Sequence, residues 1–113
     1  MSDANAKMLL GQMLEAVRQA RTYIDGMAAE DFLADKRTQQ AVTLNLIIIG
    51  EVATRLMGRH PNTVAAHQDI EWRAMRGMRN RIAHGYYDID LNIVWETAAQ
   101  ALPELEKCLQ QAI

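Results

Sequence analysis

The sequence predicts an all-α fold: an up-and-down bundle of four to five helices, with residues 1–113 forming a single domain. Two observations carry this expectation. Apolar residues recur at helical spacing in each long segment, the mark of a helix that buries one face. Strong stop signals divide those segments: Asp25-Gly26, Gly58-Arg59-His60-Pro61 and Gly85. Half of the 113 residues are hydrophobic, which suffices for one modest core.

The first helix is expected from Ala4 to about Gly26, with Leu10, Met13 or Leu14, Val17 and Ile24 on its apolar stripe. Ala28 to Lys36 reads as a connection with one helical turn, and Phe32 and Leu33 as a small plug tucked against the bundle. The second long helix is expected from Thr38 to about Gly58. Ala41, Leu44, Ile48, Val52 and Leu56 make one apolar line, and Leu46, Ile47 and Ile49 widen it almost around the helix. A helix apolar on most sides must be buried on most sides. A chain this short achieves that most economically as a homodimer. Asn45 and Glu51 interrupt the apolar segment. Glu51 is expected to pair either with an arginine of a later helix or with Arg55 one turn on.

Pro61 ends that helix, and Asn62 to Ile70 is a polar connection with a short helical turn. Glu71 to His84 is a third helix whose core side is traced by Trp72, Met75, Met78 or Arg79, and Ile82. Asp90 is a plausible N-cap for the last helix, along which Leu91, Val94, Ala98, Leu102, Leu105 and Leu109 form the inner face. Pro103 falls inside this helix, so a kink or a break is expected there.

A formal net charge of −2 argues against a broad nucleic-acid-coating surface, which would be basic. A local basic cleft remains open, since Arg73, Arg76, Arg79 and Arg81 lie within nine residues; a solvated arginine face is the plainer reading of Arg73 and Arg81. Cys108 is alone, so no internal disulfide forms, and a reducing, cytoplasmic location is expected. The opening Met-Ser-Asp-Ala-Asn-Ala-Lys has no basic segment followed by an apolar core, so no signal peptide is expected. The longest apolar run, Leu46–Ile49, is too short to span a membrane, and no membrane association is expected. His60 and His67 have neither a cysteine neighbour nor zinc-site spacing, so no metal site is expected, and no cofactor.

Most of the chemistry-bearing residues fall in Arg76–Asp90, which holds three arginines, one histidine and two tyrosines. Arginine is always charged and forks two donors at a phosphate. Histidine gives or takes a proton near neutral pH. Together they suit metal-independent attack on a phosphodiester, with the 2′-hydroxyl of RNA as nucleophile. Five positions on a helix place Arg79 and His84 about 140° apart. One straight helix therefore does not aim both at one point. The helix is expected to stop at His84, with a turn at Gly85 bringing Tyr86 back beside it. The plainer alternative solvates Arg79 or pairs it with Asp88 or Asp90, and makes His84 a helix cap.

The run Arg-Asn-Arg-Ile-Ala-His-Gly-Tyr from Arg79 to Tyr86 resembles the R-x-x-x-x-H-x-Y motif of HepT-like toxins of the HEPN superfamily. The resemblance extends to the Phe32–Asp35 and Ile48–Glu51 segments, to Trp72, and to the run Asp88–Thr97. It implies a HEPN-like, homodimeric toxin of a type VII toxin–antitoxin system that cleaves RNA. It further implies a minimal nucleotidyltransferase antitoxin, MntA-like, that transfers AMP to the motif tyrosine. Residue by residue, Arg79 and His84 become the catalytic pair and Tyr86 the modification target. Asn80 becomes the polar neighbour that holds the phosphate or the histidine, with Arg76 and Glu51 in support. The alternative is a non-catalytic module whose cleft holds a nucleotide or the nucleotidyltransferase itself.

Overall fold

The computed structural model describes residues 2–113, so Met1 of the opening heptapeptide lies outside the described residues. Among those residues there are helices and no strand. The order is α1 (Ser2–Tyr23), α2 (Ala29–Leu33), α3 (Lys36–Arg59), α4 (Pro61–Ala66), α5 (Trp72–His84), a 3₁₀ turn (Tyr86–Asp88), α6 (Leu91–Glu96), a π segment (Thr97–Ala101) and α7 (Leu102–Ala112). Four rods make the bundle: α1, α3, α5 and the run from α6 to α7. The expected all-α bundle is thus observed.

Local chemistry sets the boundaries. Gly26 takes a φ of +79°, the left-handed region open to glycine, and ends the turn after α1. Asp35 caps α3: its carboxylate accepts from the Thr38 amide at 3.1 Å and the Thr38 hydroxyl at 2.7 Å. Those bonds, the hydroxyl's first, hold the Asp35 carboxyl below its ordinary range. Asp90 caps α6 as expected, accepting from Asn92 at 2.9 Å. The break expected at Pro103 is the π segment. Proline has no amide hydrogen and its ring crowds the carbonyl four residues back. The preceding turn widens, and the Leu102 amide donates to Thr97, five residues back.

The core centres on α3, which packs most extensively against α5 and α1. Met13, Val17, Val42, Leu56, Val94 and Leu109 are fully buried. Phe32 is the plug expected of it, fully buried with its ring 5.5 Å from Trp95, whereas Leu33 is exposed. The line expected along α3 holds at Val52 and Leu56, which are buried, but not at Leu44 and Ile48. Leu44 is 57% and Ile48 37% exposed, while Val42, Thr43, Leu46, Ile49, Gly50 and Ala53 are buried. A helix apolar nearly all round gives periodicity nothing to phase on, and the small residues Gly50 and Ala53 mark where neighbours come closest. By length and composition α3 would also cross a bilayer, yet half of its most apolar stretch is buried inside the bundle, as suits a core helix.

Gly50 fixes the closest approach. A β-carbon built there would lie 2.7 Å from the Met75 carbonyl oxygen and collide with the Arg79 side chain at its own β-carbon. Across the bundle, Glu106 of α7 accepts from Arg21 at 2.6 Å and Arg18 at 3.2 Å, tying α7 to α1. The Arg21 bond, then that of Arg18, holds the Glu106 carboxyl below its ordinary range against the opposing effect of burial. His60 is also structural, its Nε2 paired with Asn5 Oδ1 at 2.7 Å between the end of α3 and α1.

Two outcomes follow. Gly50→Ala is expected to cost about 1–3 kcal/mol, because backbone rather than a flexible chain end must give way; urea denaturation checks it. Glu106→Gln is expected to lower the melting temperature by a few degrees at pH 7, since the arginines are about half exposed and such pairs contribute at most about 1 kcal/mol. Because the folded carboxyl titrates lower than the unfolded one, its contribution is present above the ordinary glutamate range. It is lost as pH falls through the lowered value, so the two proteins should converge in acid melts.

Candidate active site

The site is built on α3 and α5. Trp72 starts α5 by burying its indole and donating Nε1–H to the His67 carbonyl at 3.0 Å. Gly50 lets α5 settle closely on α3, with Arg79 directly over it. From there the guanidinium reaches two α3 residues: Nη1 donates to Glu51 Oε1 at 2.7 Å and Nη2 to Thr54 Oγ1 at 3.3 Å. The Thr54 hydroxyl in turn donates to the Gly50 carbonyl at 2.8 Å, which fixes the lone pair offered to Arg79. Arg79 Nε is buried without a partner. The Arg79 side chain is 24% exposed and that of Glu51 44%, so the pair lies at the surface end of the α3–α5 seam.

Of the two partners expected for Glu51, the structure has the motif-helix arginine and not Arg55. Arg79 is likewise paired with Glu51 rather than with Asp88 or Asp90. Thr54 is a residue the sequence reading missed. Its signal is its place three residues after Glu51, on the same side of α3.

The remaining candidate residues lie elsewhere on α5 or, for Tyr86, just beyond it. The helix ends at His84, as expected, and the chain turns at Gly85. His84 and Asn80 are exposed and Arg76 half-buried. Among the described residues no hydrogen bond joins Arg79 to His84, or Asn80 to either. The helix is continuous between Arg79 and His84, so their 140° separation stands. Tyr86 opens the 3₁₀ turn, 39% exposed, its ring edge-on to Tyr87 at 5.6 Å. Tyr87 is 94% exposed.

Among the described residues no three His, Cys, Asp or Glu side chains are grouped so as to hold a metal ion. A cavity of about 350 Å³ lies behind the first half of α5, with Leu46, Ile49, Met75, Met78 and Leu105 in its wall. It contains neither Arg79 nor His84. Cys108 also lines it, and burial first, then Asp69, pushes the thiol above its ordinary range.

The profile of the family described as "Ribonuclease HepT-like" matches residues 13–112. A probable ribonuclease HepT of Thermococcus cleftensis is 35% identical over 101 residues, covering 88% of this chain and 88% of that protein. A candidate RNase of Caldanaerobacter subterraneus subsp. tengcongensis is 31% identical over 90 residues, 80% of this chain and 78% of its own. A candidate RNase of Methanocaldococcus jannaschii is 26% identical over 113 residues, spanning 100% of this chain and 91% of its own. No solved structure matches the chain. The family match runs from within α1 to the end of α7 and includes every residue of the α3–α5 site; the chain belongs to the HepT-like ribonuclease family.

Proposed function

We propose that this chain is an RNA endonuclease, the toxin of a type VII toxin–antitoxin pair, with Arg79 and His84 as its catalytic residues. The observation that carries the reading is the Arg79 guanidinium, fixed by Glu51 and Thr54 at the open end of the α3–α5 seam, on the helix that ends in an exposed His84. Membership of a ribonuclease family, and relatives bearing RNase names, support RNA as the substrate.

In this mechanism Arg79 binds the scissile phosphate and stabilises the charge that builds on its oxygens. Holding the guanidinium in place beforehand avoids its reorganisation in the transition state. His84 serves as general base or general acid. The 2′-hydroxyl loses its proton and attacks phosphorus, the 5′-oxygen leaves and takes a proton, and no metal is needed. The products carry a 2′,3′-cyclic phosphate and a 5′-hydroxyl. Asn80 holds the phosphate or the histidine, and Arg76 adds positive charge.

Because Arg79 and His84 point to different sides of α5, the reading places the working site in a homodimer, where one copy's arginine meets the other's histidine. Support comes from the outward line of α3, which exposes Leu44 and Ile48 beside Glu51. Tyr86, partly exposed and two residues after His84 in sequence, is the site of AMP transfer by a nucleotidyltransferase antitoxin. The added phosphate would block RNA by bulk and by repulsion. Both partners would act in the cytoplasm.

Metal-stripped protein, shown by mass spectrometry to carry no AMP, is expected to cut total RNA in chelator, and His84→Ala to lose at least 10²-fold in rate. Absence of cleavage by the unmodified parent would overturn the nuclease reading in favour of a binding module. For the dimer, Leu44→Glu with Ile48→Glu should yield helical monomers by sedimentation that no longer cut RNA. A monomeric parent with full activity would remove the dimer from the mechanism.

A further inference from the structure

The side of α5 opposite α3 carries Arg76, Asn80 and His84 of the proposed catalysis, but neither Arg73 nor the path of the strand has an assigned role. Arg73, Arg76, Asn80 and His84 stand at positions i, i+3, i+7 and i+11, so within about 80° they form one stripe along the helix. That stripe lies opposite Trp72, Met75, Arg79 and Ile82, which face the bundle. Arg73, Asn80 and His84 are exposed and Arg76 half-buried. Among the described residues Arg73, Arg76 and Arg81 take part in no ion pair; Arg79 alone of the α5 arginines is paired.

The charge is concentrated here. Residues 72–84 hold four of the twelve Lys and Arg and none of the fourteen Asp and Glu. A chain of net charge −2 therefore carries +4 on α5 and −6 elsewhere. Helix stability accounts for Arg81 and His84, which lie in the last turn, but not for Arg73 and Arg76. Arg73 sits in the first turn, at the positive end of the helix dipole, and no acidic residue stands four positions away on α5 to relieve the arginines. Just past the other end of the stripe, Tyr87 holds an aromatic ring almost wholly in solvent, edge-on to the ring of Tyr86. Nothing in the bundle requires that exposure.

We propose that the outer face of α5 is a track for single-stranded RNA, in which Arg73 and Arg76 hold backbone phosphates and Tyr87 stacks a base beyond His84. The proposal rests on RNA being the substrate, and it adds the strand's path and two kinds of positioning residue. A single row of cations follows one backbone. The row from Arg73 to His84 rises about 16 Å, long enough to follow a short run of nucleotides. A duplex presents a deep, narrow major groove and a shallow minor groove, neither of which one helix row matches. Phosphate contacts and stacking are both tolerant of sequence, so the track sets strand form and length rather than base identity.

The test measures binding of a fluorescent 12-nucleotide single-stranded RNA by anisotropy across a salt series, in the full chain carrying His84→Ala so that no RNA is cut. Arg73→Ala with Arg76→Ala is expected to weaken binding by about tenfold or more at 0.1 M salt. It should also reduce the slope of log affinity against log salt by about 1.4, two phosphate contacts at roughly 0.7 each. Lys at both positions should restore the slope. Tyr87→Ala should weaken binding while Tyr87→Phe does not. Removing two cations elsewhere, by Lys7→Ala on α1 with Lys107→Ala on α7, should leave the slope unchanged. The track is overturned if the arginine pair changes neither affinity nor slope, if the distant pair lowers the slope as much, or if duplex RNA binds as tightly as the single strand. The nuclease reading fails separately: a chain with His84 restored that binds along the track but never cuts keeps the track and loses the catalysis. A cutting chain whose KM is unmoved by the arginine pair keeps the catalysis and loses the track.

Discussion

Arg79 can lie across the α3–α5 seam only because residue 50 has no side chain. The two helices approach until the Arg79 β-carbon occupies the space a Gly50 side chain would need, and the Met75 carbonyl closes the other side. From that position the guanidinium reaches Glu51 and, one turn along α3 from Gly50, Thr54. A longer separation would leave Arg79 to solvent, as Arg73 and Arg81 are. The pair it makes is not chiefly a stabilising one. With Glu51 44% exposed, water screens the attraction, and pairs of this kind contribute about 0–1 kcal/mol. What the contact supplies is direction: a forked donor held by a carboxylate and by a hydroxyl that is itself fixed.

How much of this was legible in the sequence depended on whether the signal was local. Asp90, Pro103 and the stop after His84 are local chemistry, and each was readable and observed. Phe32 stood out as an aromatic in an acidic connection, and it is the plug. The Glu51–Arg79 pair was readable as one of two choices, because a carboxylate in an apolar segment needs a partner. The phase of α3 was readable only in its second half, at Val52 and Leu56. Its apolar residues nearly encircle it, and the buried face was decided by Gly50, Ala53 and Thr43, whose smallness counts only once a neighbour arrives. Gly50 looked like part of a motif, and Thr54 like an ordinary helix residue. Both acquire meaning from α5, some twenty-five residues away in sequence.

Helix geometry divides α5 into two sides. Arg79 faces α3, while Arg76, Asn80 and His84 run along the outer side, and a straight helix cannot bring the two together. The 140° between Arg79 and His84 is therefore a constraint on any mechanism that uses both. Either the substrate wraps around the helix or a second copy supplies the missing group. The second is simpler under the proposed mechanism, in which Arg79 would meet the phosphate oxygens while His84 meets the 2′-hydroxyl or the 5′-oxygen of the same scissile group.

The position of Glu51 links that requirement to the surface of α3. Leu44, Ile48, Glu51 and Arg55 fall on one line of the helix, so the carboxylate that holds Arg79 is continuous with the exposed apolar strip. Anything docked on Leu44 and Ile48 would also cover part of Glu51. Removing water from the pair lowers the local dielectric and strengthens the attraction between its members, provided their remaining hydrogen bonds are met. Thr54 meets part of that condition for Arg79, whose Nε remains without a partner. In the proposed dimer, docking on the strip would then stiffen Arg79 as it assembled the site, so that the guanidinium would be held most firmly where a histidine from a second copy would reach the same scissile group.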